Sequence, residues 1–555
     1  MNNNLKLIIG SIAVLALLNF LASKFYFRLD LTEDQRFTLM PATQKLLKDL
    51  DRDVHINVYL HGDFPAAFER LENATRETLE EFRAISGKKV FYQFIDPSNA
   101  STEEERQQNY RQLIEAGLSP TNLFFNEGGK RTEKLIFPAA LVQSDTLTIP
   151  VQLLKSNRSK SSEEQLNQSY ENVEFQLATA IREIVQPERK KVGLVVSHSN
   201  LPPGRFADII ANLQLFYDVY LDVNQPGSYL GLDALIVMKP DSAFTEHEKY
   251  NLDQYVVNGG KVLFFVDGVK VDSVALEGSY AQPLDLNLGD LFFKWGVRVN
   301  PNLVKDMQSG LIALNVGNLG DRPQVQPLPW RFFPLLSNFA SHPITRNTDA
   351  LITRYLSTID TLNAPGLKRE PLLFTSPYTR VLKAPVLLSY NEARQQPHPD
   401  EYSQGVQMAG VLVTGTFQSL YTNRILPSDP RYETFQPQGD EGKVLICSDG
   451  DLVVNDIDYD RQVPYPLGYD RVSREIFGNK DFILYAVDYL IDAEGIILAR
   501  NKNIALRLLD KIKISQERTW WVLGNIAVPP LLICFLCGWI GFLSKRKFKF
   551  RRHLS

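Results

Sequence analysis

Apolar residues recur along this chain in three ways: long uncharged runs near both ends, short continuous or alternating runs, and stripes at helical spacing. Trp520 to Leu543 (WWVLGNIAVPPLLICFLCGWIGFL) carries no charged residue, and about 20 apolar residues suffice to span a membrane as a helix. Lys545, Arg546, Lys547, Lys549, Arg551 and Arg552 follow it, and a basic cluster of this kind marks the cytoplasmic side. Leu7 to Ala22 is a second apolar run, interrupted by Ser11 and Asn19. No A-x-A cleavage site follows it, so it reads as an uncleaved anchor over 7–23 rather than a signal peptide. With two spans and a cytoplasmic C-terminus, parity places the N-terminus inside as well and the body outside.

Between the runs the periodicity predicts α/β architecture. Thr38 to Pro41 reads as a helix start, with Thr38 as cap and Pro in the first turn. VHINVYL (Val54–Leu60) alternates like a half-buried strand. A helix bearing Phe68, Leu71, Leu79, Phe82 and Ile85 comes next, then a strand over Lys89–Ile95. Strand, helix, strand at this spacing predicts a parallel βαβ unit. A helix over Glu103–Ala116 and strands at 122–126, 133–137 and 146–154 complete an N-terminal α/β domain at 30–155. Polar residues 156–169 read as a linker, and the next helix is expected to begin at Tyr170 and end before Pro187.

Strands near 191–197, 219–223, 233–238 and 261–267 then alternate with helices and are almost continuously apolar. This pattern predicts a doubly wound, mostly parallel sheet over 170–300, buried on both faces. From 301 to 438 proline is frequent and the strands are short, as in a β-rich insertion or lobe. Residues 439–506, with KVLICS (Lys443–Ser448) and an amphipathic helix at 480–491, return to the sheet, and 520–543 is the second transmembrane helix.

The 555 residues exceed one ordinary domain, and the net charge of −4 gives no sign of a nucleic-acid surface. Three cysteines exclude a disulfide framework. Cys534 and Cys537 lie inside the apolar run, and Cys447 lies inside an expected buried strand. Gly128-Gly129-Lys130-Arg131-Thr132 lacks the first glycine of a phosphate-binding loop, so ATP hydrolysis must come from a partner. No Gly-x-Ser-x-Gly elbow exists. The acidic loop from Asp449 fails as a calcium loop: counted from Asp456, Arg461 stands where Gly is required and Leu467 where Glu is required. No metal ligands and no cofactor motif emerge. His198 and Asp267 are the candidate binding residues, because they follow strands at the carboxyl edge where open α/β sheets bind ligands.

Several stretches carry a family resemblance. They are Tyr170-Glu171-Asn172 with Ala180-Ile181-Arg182, the run Lys190 to His198, the run Leu232 to Pro240, the run Glu248 to Asp267, and Gly478 to Leu490. Together they resemble the extracytoplasmic auxiliary proteins of ABC transporters, in particular the GldG branch associated with gliding motility in Bacteroidetes. The resemblance implies a non-catalytic, substrate-binding or auxiliary subunit in the inner membrane. Its body would be periplasmic, and its partners an ABC permease and a cytoplasmic ATPase. Where that family carries Gly-His-Gly-Glu, this chain has Ser197-His198-Ser199-Asn200, which leaves any role of that carboxylate without its residue. An anchored periplasmic hydrolase and a structural envelope tether are the alternative classes. The hydrolase predicts His198 and Asp267 converging with a third polar group in a deep cleft.

Overall fold

The computed structural model describes residues 38–551 except 128–129, 146, 156–160, 187, 223–228, 230, 276–277, 320–321, 426–427, 430, 432 and 502–510. The expected anchor at 7–23 lies outside these residues. The chain divides into two units, Met1–Ile504 and Ala505–Ser555. The first is mixed α/β with several sheets; the second is helical.

Helix α1 (Pro41–Lys48) begins on its proline, but its cap is Met40, which makes no side-chain capping bond. Thr38 is therefore not the cap. The residue before a proline is driven to extended backbone, and Met40, at φ −61° and ψ 146°, takes the cap position for that reason. Its N–H donates to Glu174 Oε1 at 2.6 Å.

Strand β1 (Val54–Val58), helix α2 (Ala66–Ile85) and strand β2 (Val90–Phe94) form the expected unit, with β1 and β2 parallel. Phe68, Leu71, Leu79 and Phe82 are buried along α2. Helix α3 (Glu103–Glu115) is capped by Thr102. Strands β3 (Thr121–Glu127) and β4 (Lys130–Ile136) make a separate hairpin. Strand β5 (Ala139–Ser144) pairs antiparallel with β1 and with β6 (Leu147–Gln152), giving the order β2-β1-β5-β6. Periodicity does not find β5: it opens on Ala139-Ala140, and alanine is a poor strand former.

Helix α4 (Ser162–Val185) starts eight residues before the expected Tyr170. Residues 162–169 are its first two turns rather than a flexible linker. Ser161 and Glu164 form a reciprocal capping box, a device that contributes about 1 kcal/mol. Leu166 and Ser169 in these turns are buried.

The main sheet has eight strands. Strands β7 (Lys191–Val195), β8 (Asp218–Leu221), β9 (Ala234–Met238) and β10 (Lys261–Phe265) are mutually parallel, with helices α5 (Ala207–Gln214) and α6 (Glu246–Val257) between them. The stretch from 301 to 438 contains a long hairpin, β11 (Ser309–Leu319) and β12 (Arg322–Leu336). It also supplies three strands that continue the main sheet in its own plane: β13 (Asn338–Phe339), β14 (Leu367–Phe374) and β15 (Met408–Gln418). Strand β16 (Gln438–Cys447) joins the two halves. It pairs parallel with β10 and antiparallel with β15, and the order is β13-β14-β15-β16-β10-β9-β7-β8.

Successive side chains of a strand point to opposite faces, and the two cores divide accordingly. Leu263, Phe265, Ile236 and Met238 belong to one core, with Phe482 and Val487 of helix α7 (Asn479–Ile491). Val262, Phe264, Leu235 and Val237 belong to the other, with Leu252 and Val256 of α6. Each fully buried Phe or Leu contributes about 1.5–3 kcal/mol. Burying both faces is what permits the unbroken apolar runs seen in the sequence.

The second unit is helix α8 (Lys511–Arg551), with Pro529 and Pro530 inside it. Its window Gln516–Trp539 is long and apolar enough to cross a membrane. Trp520, Trp521, Ile526, Leu531 and Phe535 along it are exposed. This stretch begins four residues before the expected Trp520, taking in Glu517 and Arg518, and ends at Trp539, four residues before the expected Leu543.

Candidate functional site

Strands β9, β10 and β16 lie side by side, so the residues just past their carboxyl ends meet on one ledge. They are Lys239, Asp267 and Asp449. The ladder runs past the strand ends: Lys239 N–H donates to Phe265 O at 3.0 Å, and Val266 N–H to Cys447 O at 3.0 Å. Lys239 then turns sharply, with φ at +44°. This brings its side chain over the turn Gly450–Val453, where a Cβ on Gly450 would lie 2.5 Å from Lys239 Cγ. Glycine at 450 is thus required by close approach.

The Lys239 ammonium lies 2.8 Å from Asp267 Oδ2 and 2.7 Å from Asp451 Oδ2. Asp267 Oδ1 accepts from Gly450 N–H at 2.7 Å. Asp449, fully buried, accepts from Asp451 N–H at 2.7 Å and from Arg354 N–H at 2.6 Å. Each of the three carboxylates has an oxygen within 4.8 Å of the others. Burial pushes the Asp267 carboxyl above the ordinary carboxylate range, against the pull of Lys239. Burial and the neighbouring Asp451 push Asp449 well above it. Lys239 is itself raised, because its two carboxylate partners outweigh desolvation.

Chemically this is a saturated knot. The ammonium holds the place that a cation among three carboxylates would take, and both oxygens of Asp267 are engaged. The cavity beside it, lined by Arg354, Asp451 and Asp456, is about 10 Å³, at the lower limit for one water molecule. Asp456 is bracketed by Arg205 at 2.9 Å and Arg354 at 3.1 Å, and these cations keep its carboxyl below its ordinary value despite burial. Asp458 accepts backbone N–H bonds from Asp460 and Arg461. The acidic loop is a set of caps and ion pairs.

His198 stands past β7 with a different set of neighbours. Its ring lies 3.9 Å from that of Phe244, and its Nε2 is 3.3 Å from Glu248 Oε2. Glu248 is committed to the capping box of α6, accepting from Thr245 N–H at 2.8 Å. The His198 carbonyl accepts from Asp241 N–H at 2.8 Å. Burial lowers the imidazole pKa, with Glu248 opposing. His198 and Asp267 are therefore held by separate partners at the same edge of the sheet. Cys447 is fully buried and its thiol is pushed far up by burial.

Periodicity alone does not find Lys239, Arg354 and Asp451. One signal was present: Lys239-Pro240 directly follows an entirely apolar strand, where a charge must find a partner at the strand end. Arg354 had none, because it arrives from a stretch more than a hundred residues away from Lys239.

A family model described as "ABC-type uncharacterized transport system" matches residues 189–486, and one for a domain of unknown function matches 33–143. An "uncharacterized protein" of Borreliella burgdorferi is 20% identical over 548 residues, covering 94% of each chain. Among solved structures, the "mmIFT52 N-terminal domain" aligns with 57% of this chain and 100% of its own at 12% identity. Its TM-score of 0.31 is too low to indicate a shared fold.

Proposed function

This chain belongs to the auxiliary family of ABC-type transport systems, and from that premise we propose that it is a non-catalytic subunit of such a transporter, anchored in the inner membrane at both ends. Its body faces the periplasm and both termini face the cytoplasm. It works with a permease and a cytoplasmic ATPase, in a gliding or secretion system of the GldG kind. The main sheet, read as doubly wound, is a stiff body that binds a substrate or relays movement of the permease.

The observation that carries this reading is the family match over more than half of the chain. Two further features support it. One apolar helix is long enough to span a membrane. The carboxyl-edge ledge is closed by its own ion pairs, which suits a rigid docking body better than a reaction centre. His198 and Asp267 belong to this reading as the two sides of the ledge that a partner or substrate would meet.

The test is affinity purification of the tagged chain from membranes of its own organism. Permease and ATPase should copurify in constant ratio. A stable chain that never brings down either one defeats the proposal. Reporter fusions within the body and after Arg552 should report opposite sides of the membrane.

A further inference from the structure

The stretch from 301 to 438 holds a cavity of about 430 Å³. Part of its wall is made where two strands pair antiparallel, Asn302–Asp306 with Thr379–Lys383, and the register sets Lys305 opposite Arg380. Like charges so placed repel, and the chain answers each with a carboxylate from residues 389–402. Glu392, on a short turn at Tyr390–Arg394, pairs with Lys305, and Glu401, ending the turn Pro399–Glu401, pairs with Arg380. The Lys305 ammonium also lies over the Phe332 ring, 4.9 Å from its centroid. Tyr402, 4% exposed, lines the cavity with them.

Arg331 is the third cation in the wall. It lies on β12, beside the strand Asn302–Asp306, and is half-buried. No carboxylate among the described residues answers it. Its Nε is sealed in the wall, whereas its two Nη atoms are open to solvent and have no partner among the described residues. The Tyr402 hydroxyl, whose pKa burial raises, feels the same set of charges: Arg331 and Arg380 against Glu392 and Glu401. With Lys305 added, three cations meet two carboxylates. The other charged residues of 389–402, Arg394 and Asp400, are exposed and opposite in sign, so they leave the excess in place. A guanidinium drawn partly out of water is normally paired, and its planar fork fits an oxyanion through two N–H bonds. Gln395 and Gln396 also line the cavity, and their side-chain amides have no partner among the described residues.

We propose that this cavity binds a small hydroxyl-bearing oxyanion, a sugar carboxylate or sugar phosphate. The anionic group sits on the Arg331 Nη atoms. The hydroxyls bond to Gln395 and Gln396, whose amides both donate and accept. The volume suits such a ligand, since small-molecule sites run from about 300 to 1,000 Å³. So does the lining, in which only Leu387 and Pro397 have wholly apolar side chains. The site does not rest on the transporter reading, because none of its walls belongs to the membrane helix or the ledge.

The test titrates the full-length chain, purified in micelles of a sugar-free detergent, by calorimetry at low ionic strength with micelles alone as the blank. Sodium glucuronate and glucose 6-phosphate are the probes. At least one should bind saturably at one site with Kd below about 1 mM, and the tighter of the two names the anionic group. Glucose, which lacks the anion, and acetate, which lacks the hydroxyls, should each bind at least about tenfold more weakly. Arg331→Gln should weaken the anionic sugar at least about tenfold. Its melting temperature should hold or rise, because Arg331 has no carboxylate to lose and two neighbouring cations to escape. Gln396→Glu, at an exposed position whose fold does not depend on the guanidinium, should weaken binding about fivefold by repulsion of the anion. Binding of neither anionic sugar, glucose or acetate binding as tightly, or unchanged affinity in Arg331→Gln or Gln396→Glu would each overturn the proposal.

Discussion

Arg182 on α4 and Asp488 on α7 are 306 positions apart in sequence and 2.6 Å apart in the fold, with side chains only 6% and 9% exposed. Glu183 and Asp492 also face the guanidinium, at 2.9 and 3.7 Å. Burial pushes the Asp488 carboxyl up while Arg182 pulls it down. The pair ties the helix that precedes the main sheet to the helix that closes it.

Removing one partner leaves the other charged and buried. Arg182→Ala should destabilise the first unit by about 3–5 kcal/mol, whereas the double replacement Arg182→Met with Asp488→Leu should recover part of that loss but not all of it, because Glu183 and Asp492 still lose the guanidinium. Denaturant midpoints of the full chain, followed by tryptophan fluorescence, measure both. A single variant as stable as the double one would show that the pair is solvated.

Lys239 is the only cation bonded to Asp267 and Asp451 among the described contacts. Lys239→Met should lower the melting temperature at pH 7 and recover part of the loss at pH 5. The sign follows from the two neighbours with raised carboxyl pKa, Asp267 and Asp449. A carboxyl raised in the fold binds more protons folded than unfolded, so stability falls as pH rises above its ordinary 3.8. Without the ammonium that window extends further upward. A melting temperature independent of pH in the variant would contradict this account.

His342 gives the opposite slope. It is 8% exposed, accepts Ile344 N–H on Nδ1 at 3.2 Å, and packs edge-on against Tyr489. Burial depresses its pKa from 6.5 to about 4. The neutral ring is favoured in the fold, so its contribution is complete above pH 6.5 and is lost as pH falls from 6.5 to about 4. At 1.36 kcal/mol per pH unit the loss is at most about 3 kcal/mol. The melting profile of His342→Gln should be flatter than wild type across that interval and parallel to it above pH 7.

Gly450→Ala tests the approach of Lys239 directly. Its φ lies outside the left-handed region, so the new methyl is opposed by Lys239, whose Cγ, Cβ and Cα would stand at 2.5, 2.8 and 3.0 Å. Overpacking of this kind costs about 1–3 kcal/mol. Combining it with Lys239→Gly, which removes the Cγ and the Cβ at 2.8 Å, should give less than the sum of the two losses. Additive losses would mean that the glycine serves another purpose.

Cys447 should resist maleimide in the native chain carrying Cys534→Ser and Cys537→Ser, and label fully in denaturant. A thiol held protonated by burial is a poor nucleophile. Native labelling at the rate of a free thiol would place it at the surface.

The parallel strands were legible because burial on both faces demands unbroken apolar runs, and Leu235–Met238, Val262–Phe265 and Val444–Cys447 are such runs. Helix α4 was legible from Tyr170 onward by its apolar stripe. Its first two turns were not, because their stability rests on the Ser161–Glu164 cap and on Leu166, in a stretch whose composition is that of a linker. Strands β14 and β15 read as parts of a β-rich insertion or lobe, not as members of the main sheet. Nothing in an irregular, proline-rich sequence says which sheet edge it will pair with, since backbone hydrogen bonds carry no residue identity. At the ledge, Asp267 and His198 could be picked out by their position after strands, but their partners could not. Lys239, Asp451 and Arg354 come from three separate stretches.

Local order determined which segments are helix, strand or apolar span, because hydrophobic period and capping act over a few residues. Tertiary structure decided which charges meet. An ammonium among three carboxylates and a guanidinium between Glu183 and Asp488 arise only when distant strand ends and helix faces are brought within about 3 Å, and desolvation then makes each pairing obligatory.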